Sequence, residues 1–145
     1  MMGRRVFVDA NIINDIYDQK RRFHEASYQC LEYCLKHDVA LVTSCDIVTT
    51  VYYITTKSQD AQKALEALAQ VNDIFEIAPF GNALLAEAIQ LMQQDVDYVD
   101  LEDTLQFVMA RQVGCDLILT NDGSFVAKGL QTVSSPDFIR QKTAG

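Results

Sequence analysis

The stretch Arg5-Val6-Phe7-Val8-Asp9-Ala10-Asn11 is a short apolar run that stops at an aspartate, and its reading decides the fold. Four residues of this kind form a buried strand, and the polar residues after them leave the sheet at its carboxyl end. The same grammar returns far downstream in Leu117-Ile118-Leu119-Thr120-Asn121-Asp122. Between the two lie short apolar runs at 39–42 and 74–78, and Thr132–Val133 follows as a fifth. Helical patterns separate them: 11–17, 23–36, 44–56, 61–71, 82–94 and 101–113, with a last one at 136–141. Strands that alternate with amphipathic helices predict crossover units and a parallel sheet covered on both faces. The fold class is therefore α/β, a three-layer α/β/α sandwich with a mainly parallel, roughly five-stranded sheet. No repeat, low-complexity tract or linker interrupts residues 1–145, so one domain is expected.

Several details of packing are also expected. Ser44 is the predicted N-cap of the helix after the second strand. Ala64, Leu65, Leu68 and Val71 share one helical stripe, as do Leu101, Leu105, Val108 and Met109, and Gly114 is placed to end the latter helix. Tyr52 and Tyr53 read as core residues.

Composition narrows the function. Twelve Lys+Arg against 20 Asp+Glu leave a net charge of −8, a poor footprint for a protein that grips duplex DNA through its phosphates. The Gln19-Lys-Arg-Arg22 run reads as a solvated turn, because four residues give little field against that charge. The apolar run before Asp9 is too short for a signal peptide, and no window approaches a membrane span. Cys30, Cys34, Cys45 and Cys115 form no Cys-x-x-Cys pair. A reducing, cytoplasmic compartment is expected.

Open α/β sheets bind ligands beyond the carboxyl ends of their strands. Asp9 and Asp122 fall there, and a third acidic group, Asp100-Leu-Glu-Asp103, opens a helix. At about 100° per residue, Asp100 and Asp103 lie some 60° apart on one helix face. Asp100 also suits the N-cap role, and Thr120-Asn-Asp-Gly also suits an ordinary turn. Carboxylates brought close together repel, and either take up protons or bind a cation. Oxygen donors without Cys or His favour Mg²⁺ or Mn²⁺ over Zn²⁺; His24 and His37 lie outside every motif. Such a site suits metal-assisted hydrolysis of a phosphodiester.

With these motifs assembled, the chain resembles the PIN-domain family over nearly its whole length. Val8-Asp-Ala-Asn-Ile12 resembles the family's first motif. Asp103-Thr-Leu-Gln106 and Gly114-Cys-Asp-Leu-Ile-Leu-Thr-Asn-Asp122 resemble the third and fourth, and Phe125 fits the position after them. The resemblance implies cleavage of RNA with Mg²⁺ or Mn²⁺, metal-binding roles for Asp9, Asp103 and Asp122, and Asp100 as a candidate fourth acidic residue. It implies supporting roles for Asn11 and Thr120. Many small members are VapC-type toxins neutralised by an antitoxin, and dimers are common, so an antitoxin and a homodimer are expected partners.

One position departs from the family. The acidic residue usual in the helix after the second strand is Thr50 here, and a threonine supplies no charge. Ser44 and Asp46 at the start of that helix complete the supporting set. Asp46, one turn earlier, and Asp100, from the other side, are the candidates to replace the missing carboxylate. A module that binds RNA or docks a protein without hydrolysing anything is the alternative reading. A haloacid-dehalogenase-like phosphatase would want a second Asp where Asn11 stands, and a receiver domain would want a phosphorylatable Asp where Pro79-Phe-Gly stands.

Overall fold

A computed structural model describes residues 4–143. Strand β1 (Arg5–Val8) leads directly into α1 (Ala10–Ile16), and α2 (His24–Lys36) precedes β2 (Ala40–Ser44). Helices α3 (Ile47–Ser58) and α4 (Ala61–Ile74) connect to β3 (Glu76–Ala78). Helices α5 (Asn82–Gln94) and α6 (Leu101–Gln112) lead to β4 (Leu117–Leu119), β5 (Gln131–Val133) and α7 (Ser135–Thr143). Every strand pairing is parallel, in the order β3-β2-β1-β4-β5.

That order fixes where a site can form. The chain moves outward from β1 through β2 to β3, then crosses back to β4 on the other side of β1. Right-handed crossovers put α1–α4 on one face and α5 and α6 on the opposite face. The helix pairings agree, since α1 packs on α2 and α3, α3 on α4, and α5 on α6. The direction of winding reverses between β1 and β4, whose register aligns Val8 with Leu119. Their carboxyl ends therefore flank the crevice in which sheets of this kind hold ligands.

The sheet is central and dry. Phe7, Val8, Val42, Ile118 and Leu119 are buried on it, with Ile12 and Ile13 of α1 on one face and Phe107 and Val108 of α6 on the other. Helix α6 ends where a glycine allows it. Gly114 has φ +73°, the amide of Cys115 donates to the Ala110 carbonyl at 2.9 Å, and that of Gly114 to Arg111 at 3.3 Å. These bonds satisfy two carbonyls of the last turn.

Several local expectations are corrected. Ser44 does not cap α3; it is the last residue of β2, and Asp46 occupies the N-cap without a side-chain cap bond. Helix α4 runs on to Ile74, which shortens β3 to three residues. Leu65 is 60% exposed, and Ala67 joins Ala64 and Val71 on the buried stripe instead. Leu101, at the first position of α6, is 45% exposed, so the buried face begins at Thr104. Tyr53 is exposed and Tyr52 half-buried, because α3 turns only Ile47, Val51 and Thr55 fully inward. The basic run at 19–22 is more than a solvated turn, since Arg21 pairs with buried Asp15 at 2.8 Å.

Candidate metal centre

Asp9 stands at the junction of β1 and α1, and its extended backbone (φ −73°, ψ 158°) makes it the N-cap of that helix. Its Oδ1 accepts from the Ala10 amide at 2.7 Å. Its Oδ2 accepts from Asn11 Nδ2 at 2.9 Å and from Thr120 Oγ1 at 2.8 Å. Only 5% of the residue is exposed. Burial raises its pKa above the ordinary range and the charge on Asp122 adds to the rise, while the bonds from Thr120 and Ala10 oppose it.

Thr120 joins the two strand ends. Besides donating to Asp9, its hydroxyl accepts from Asn11 Nδ2 at 3.2 Å and from the Asp122 amide at 3.1 Å. Asn11 in turn accepts the Asn121 amide on Oδ1 at 3.0 Å. The loop that carries Asp122 is thereby tied to the start of α1. Asp122 itself is exposed, and its Oδ1 holds Ser124 through the amide at 2.9 Å and the hydroxyl at 2.6 Å. The turn reading and the site reading of this segment thus describe the same residues.

The third acidic group comes from α6. Asp100 caps that helix, with its Oδ1 accepting the Asp103 amide at 2.9 Å. Asp103 sits half-buried in the first turn, and its pKa is pushed up to about 7, first by burial and then by the charges of Asp100, Asp9, Asp122 and Glu102. Asp103 therefore feels the other carboxylates, and the three motifs lie toward one end of the sheet.

Glu102 was not among the residues expected here. Its pKa is raised by burial and by the charges of Asp46, Asp9 and Asp100, so it belongs to the same acidic cluster. Its place in the Asp-x-Glu-Asp run was visible, but helical spacing alone aims it away from Asp103. Ser44 and Asp46 are joined by a hydrogen bond from the serine hydroxyl to Asp46 Oδ1, at the end of β2 beside this cluster. Thr50 lies on α3, half-buried, and contributes no charge.

A further layer of polar groups lies beneath. Asn121 Nδ2 donates to Asp15 Oδ2 at 2.9 Å and to Ser135 Oγ at 3.0 Å, and its Oδ1 accepts the Ser135 amide at 2.8 Å. Ser27 donates to Asp15 at 2.9 Å, and Arg21 completes that carboxylate's partners. Helices α1, α2 and α7 and the segment that follows β4 are tied together by this network.

The donor set suits a hard divalent cation: only oxygen ligands, and carboxylates whose mutual repulsion a cation would relieve. Among the described residues no three acidic, His or Cys side chains converge tightly enough to enclose an ion by themselves. A cation that keeps part of its own water, as Mg²⁺ does, fits that spacing.

Residues 6–129 match the PIN domain, and the chain belongs to the PIN-domain family. Nucleases of this family are generally dependent on divalent metal. Over 141 residues the chain is 44% identical to Ribonuclease VapC1 of Aquifex aeolicus strain VF5, covering 97% of each protein. The fold is shared with the crystal structure of VapC20 from Mycobacterium tuberculosis, described as a sarcin-ricin loop cleaving toxin. That match has a TM-score of 0.71 at 16% identity, over 86% of this chain and 95% of that one. VapBC2 from Rickettsia felis, solved bound to a DNA fragment from its promoter, matches with a TM-score of 0.70 at 17% identity, over 90% and 98%.

Proposed function

We propose that residues 1–145 act as one PIN domain that hydrolyses RNA phosphodiester bonds with Mg²⁺ or Mn²⁺. The observation that carries this reading is the approach of Asp103 to Asp9 and Asp122 at the β1/β4 switch point, where burial first and then the neighbouring carboxylates raise Asp103 to about 7. The 44% identity to a named ribonuclease supports RNA as the substrate.

In this reading Asp9, Asp103 and Asp122 hold the ion and Asp100 adds charge from the helix cap. Asn11 and Thr120 fix the orientation of the Asp9 carboxylate through the bonds described above. A bound divalent ion lowers the pKa of water and offsets charge that develops on a phosphoryl oxygen. Hydrolysis adds the water oxygen to phosphorus and breaks one phosphate ester bond. Asp103 would hold such an ion in its charged form, because ligands must be deprotonated.

The same reading makes the chain a cytoplasmic toxin of a toxin–antitoxin pair, with an antitoxin protein as its regulator and a homodimer as its assembly. Likeness to Ribonuclease VapC1 supports the ribonuclease activity on which this role rests. Among the described residues no helix is long and apolar enough to cross a membrane. Thr50 favours one rival: a PIN domain that has lost hydrolysis and docks RNA or protein.

A panel of RNAs incubated with Mn²⁺ separates the two. Cleavage by the wild type that vanishes in Asp9→Asn and Asp103→Asn supports the nuclease; no cleavage above those variants leaves the docking module. A gene for a small DNA-binding protein beside this one would support the toxin role.

A further inference from the structure

Gln106 is out of place by the rules of stability. It lies in α6 between Leu105 and Phe107, in a run from Thr104 to Ala110 that is buried throughout, and it is 0% exposed. Neither its Nε2 nor its Oε1 has a hydrogen-bond partner among the described residues. Leaving a buried amide unpaired forfeits its hydrogen bonds to water with nothing in return. A methionine or leucine of similar size would fill the same space at no such cost.

The position explains the cost. Gln106 follows Asp103 by three residues, so both lie on one face of α6, the helix that packs on β2 and β4 to either side of β1. Its amide faces the Asp9 carboxylate closely enough to favour the charged form of that group, though short of an ordinary hydrogen bond. Asp9 Oδ2 already has two donors, Asn11 and Thr120, whereas Oδ1 has only the Ala10 amide.

We propose that Gln106 is a positioning residue for the metal centre: its Nε2–H donates to the Asp9 carboxylate, and its Oε1 accepts from a water carried by the bound ion. Both polar atoms then gain partners only in the metal-loaded state. A hydrated Mg²⁺ or Mn²⁺ supplies such a water, and outer partners of this kind orient the carboxylate that binds the ion. The inference rests on the metal centre proposed above and extends it to a residue with no charge.

The test is a Mn²⁺ titration read by the electron paramagnetic resonance signal of the free ion, alongside thermal melts in EDTA. In Gln106→Met the melting temperature without metal is expected to stay level or rise, while the Mn²⁺ dissociation constant rises about 10-fold or more. Gln106→Asn keeps an amide but draws it back by one methylene, so its affinity is expected between those of Met and the wild type. A dissociation constant within twofold of wild type in both variants overturns the proposal and makes the amide a packing element. If the Met variant does not fold, the Asn variant decides by the same measure. Wild-type and Asp9→Asn proteins run in parallel separate the two levels: equal binding by both would sink the metal centre itself and the inference with it.

Discussion

The Thr120 hydroxyl donates to Asp9 Oδ2 at 2.8 Å across 111 residues of sequence, and so joins the end of β4 to the end of β1. The same oxygen accepts from Asn11 and from the Asp122 amide, which makes one buried hydroxyl responsible for two of the three aspartates. Thr120→Val keeps the shape and removes all three bonds. It is expected to cost about 2–3 kcal/mol in urea unfolding, since buried polar partners are left unpaired. It should also weaken Mn²⁺ binding by roughly 10–100-fold. Thr120→Ser should recover most of both. Unchanged Mn²⁺ affinity in the valine variant would show that the hydroxyl does not orient Asp9.

Acidity should shape the stability of the metal-free protein in an unusual direction. Asp103 has an ordinary value of 3.8 and is raised to about 7 in the fold. A carboxyl raised on folding contributes stability that is complete below its unfolded value and is lost as pH climbs through its folded value. Between about pH 4 and pH 7 the protein in EDTA is therefore expected to lose stability as pH rises. Asp9 and Glu102, also raised, act in the same direction. Millimolar Mn²⁺ should restore the loss at high pH, because the ion binds the deprotonated site. Melting curves at pH 5.5 and pH 8 in EDTA check this: parallel behaviour of wild type and Asp103→Asn would remove Asp103 as the source.

Arg21 belongs to the fold. Its Nε lies 2.8 Å from Asp15 Oδ1, and the Asp15 side chain is 4% exposed against 34% for Arg21. Removing one partner of a fully buried pair costs about 3–5 kcal/mol; with the arginine partly in solvent, Arg21→Ala is expected to cost nearer ~2 kcal/mol. Arg22→Ala, one residue along and exposed, should change stability by less than about 0.5 kcal/mol. Similar losses in chemical denaturation for both variants would contradict the pairing.

Glu102, exposed in the first turn of α6, is expected to supply part of the charge that Thr50 does not. The charges of Asp46 and Asp9 raise its pKa along with burial, so it is expected to repel them without metal and help neutralise the ion with it. Glu102→Gln should raise the melting temperature in EDTA and weaken Mn²⁺ binding by about 10-fold, with Thr50→Glu in that background recovering part of the loss. A Glu102→Gln protein that binds Mn²⁺ like wild type would leave the α3 side of the site without a substitute.

The features settled by sequence are those a short segment decides for itself. An apolar run ending in aspartate can leave a parallel sheet only at its carboxyl end, and a glycine after an amphipathic stripe can end the helix in the left-handed region. Hence the α/β class, the Gly114 stop and the placement of Asp9 and Asp122 were legible in the sequence alone. Tertiary structure decided what depends on elements far apart in the chain. Helical period places Leu65 and Leu101 on apolar stripes, yet both meet solvent: α4 buries Ala64, Ala67 and Val71 instead, and Leu101 stands at the first position of α6. The same period turns Glu102 away from Asp103, and only the docking of α6 against β2 and β4 brings its charge toward Asp9 and Asp46. Arg21 resembles a surface cation until α1 and α2 enclose Asp15 beside it. So it is with the three-aspartate cluster: each member is local, but the burial and repulsion that raise Asp103 exist only once β1, β4 and α6 meet.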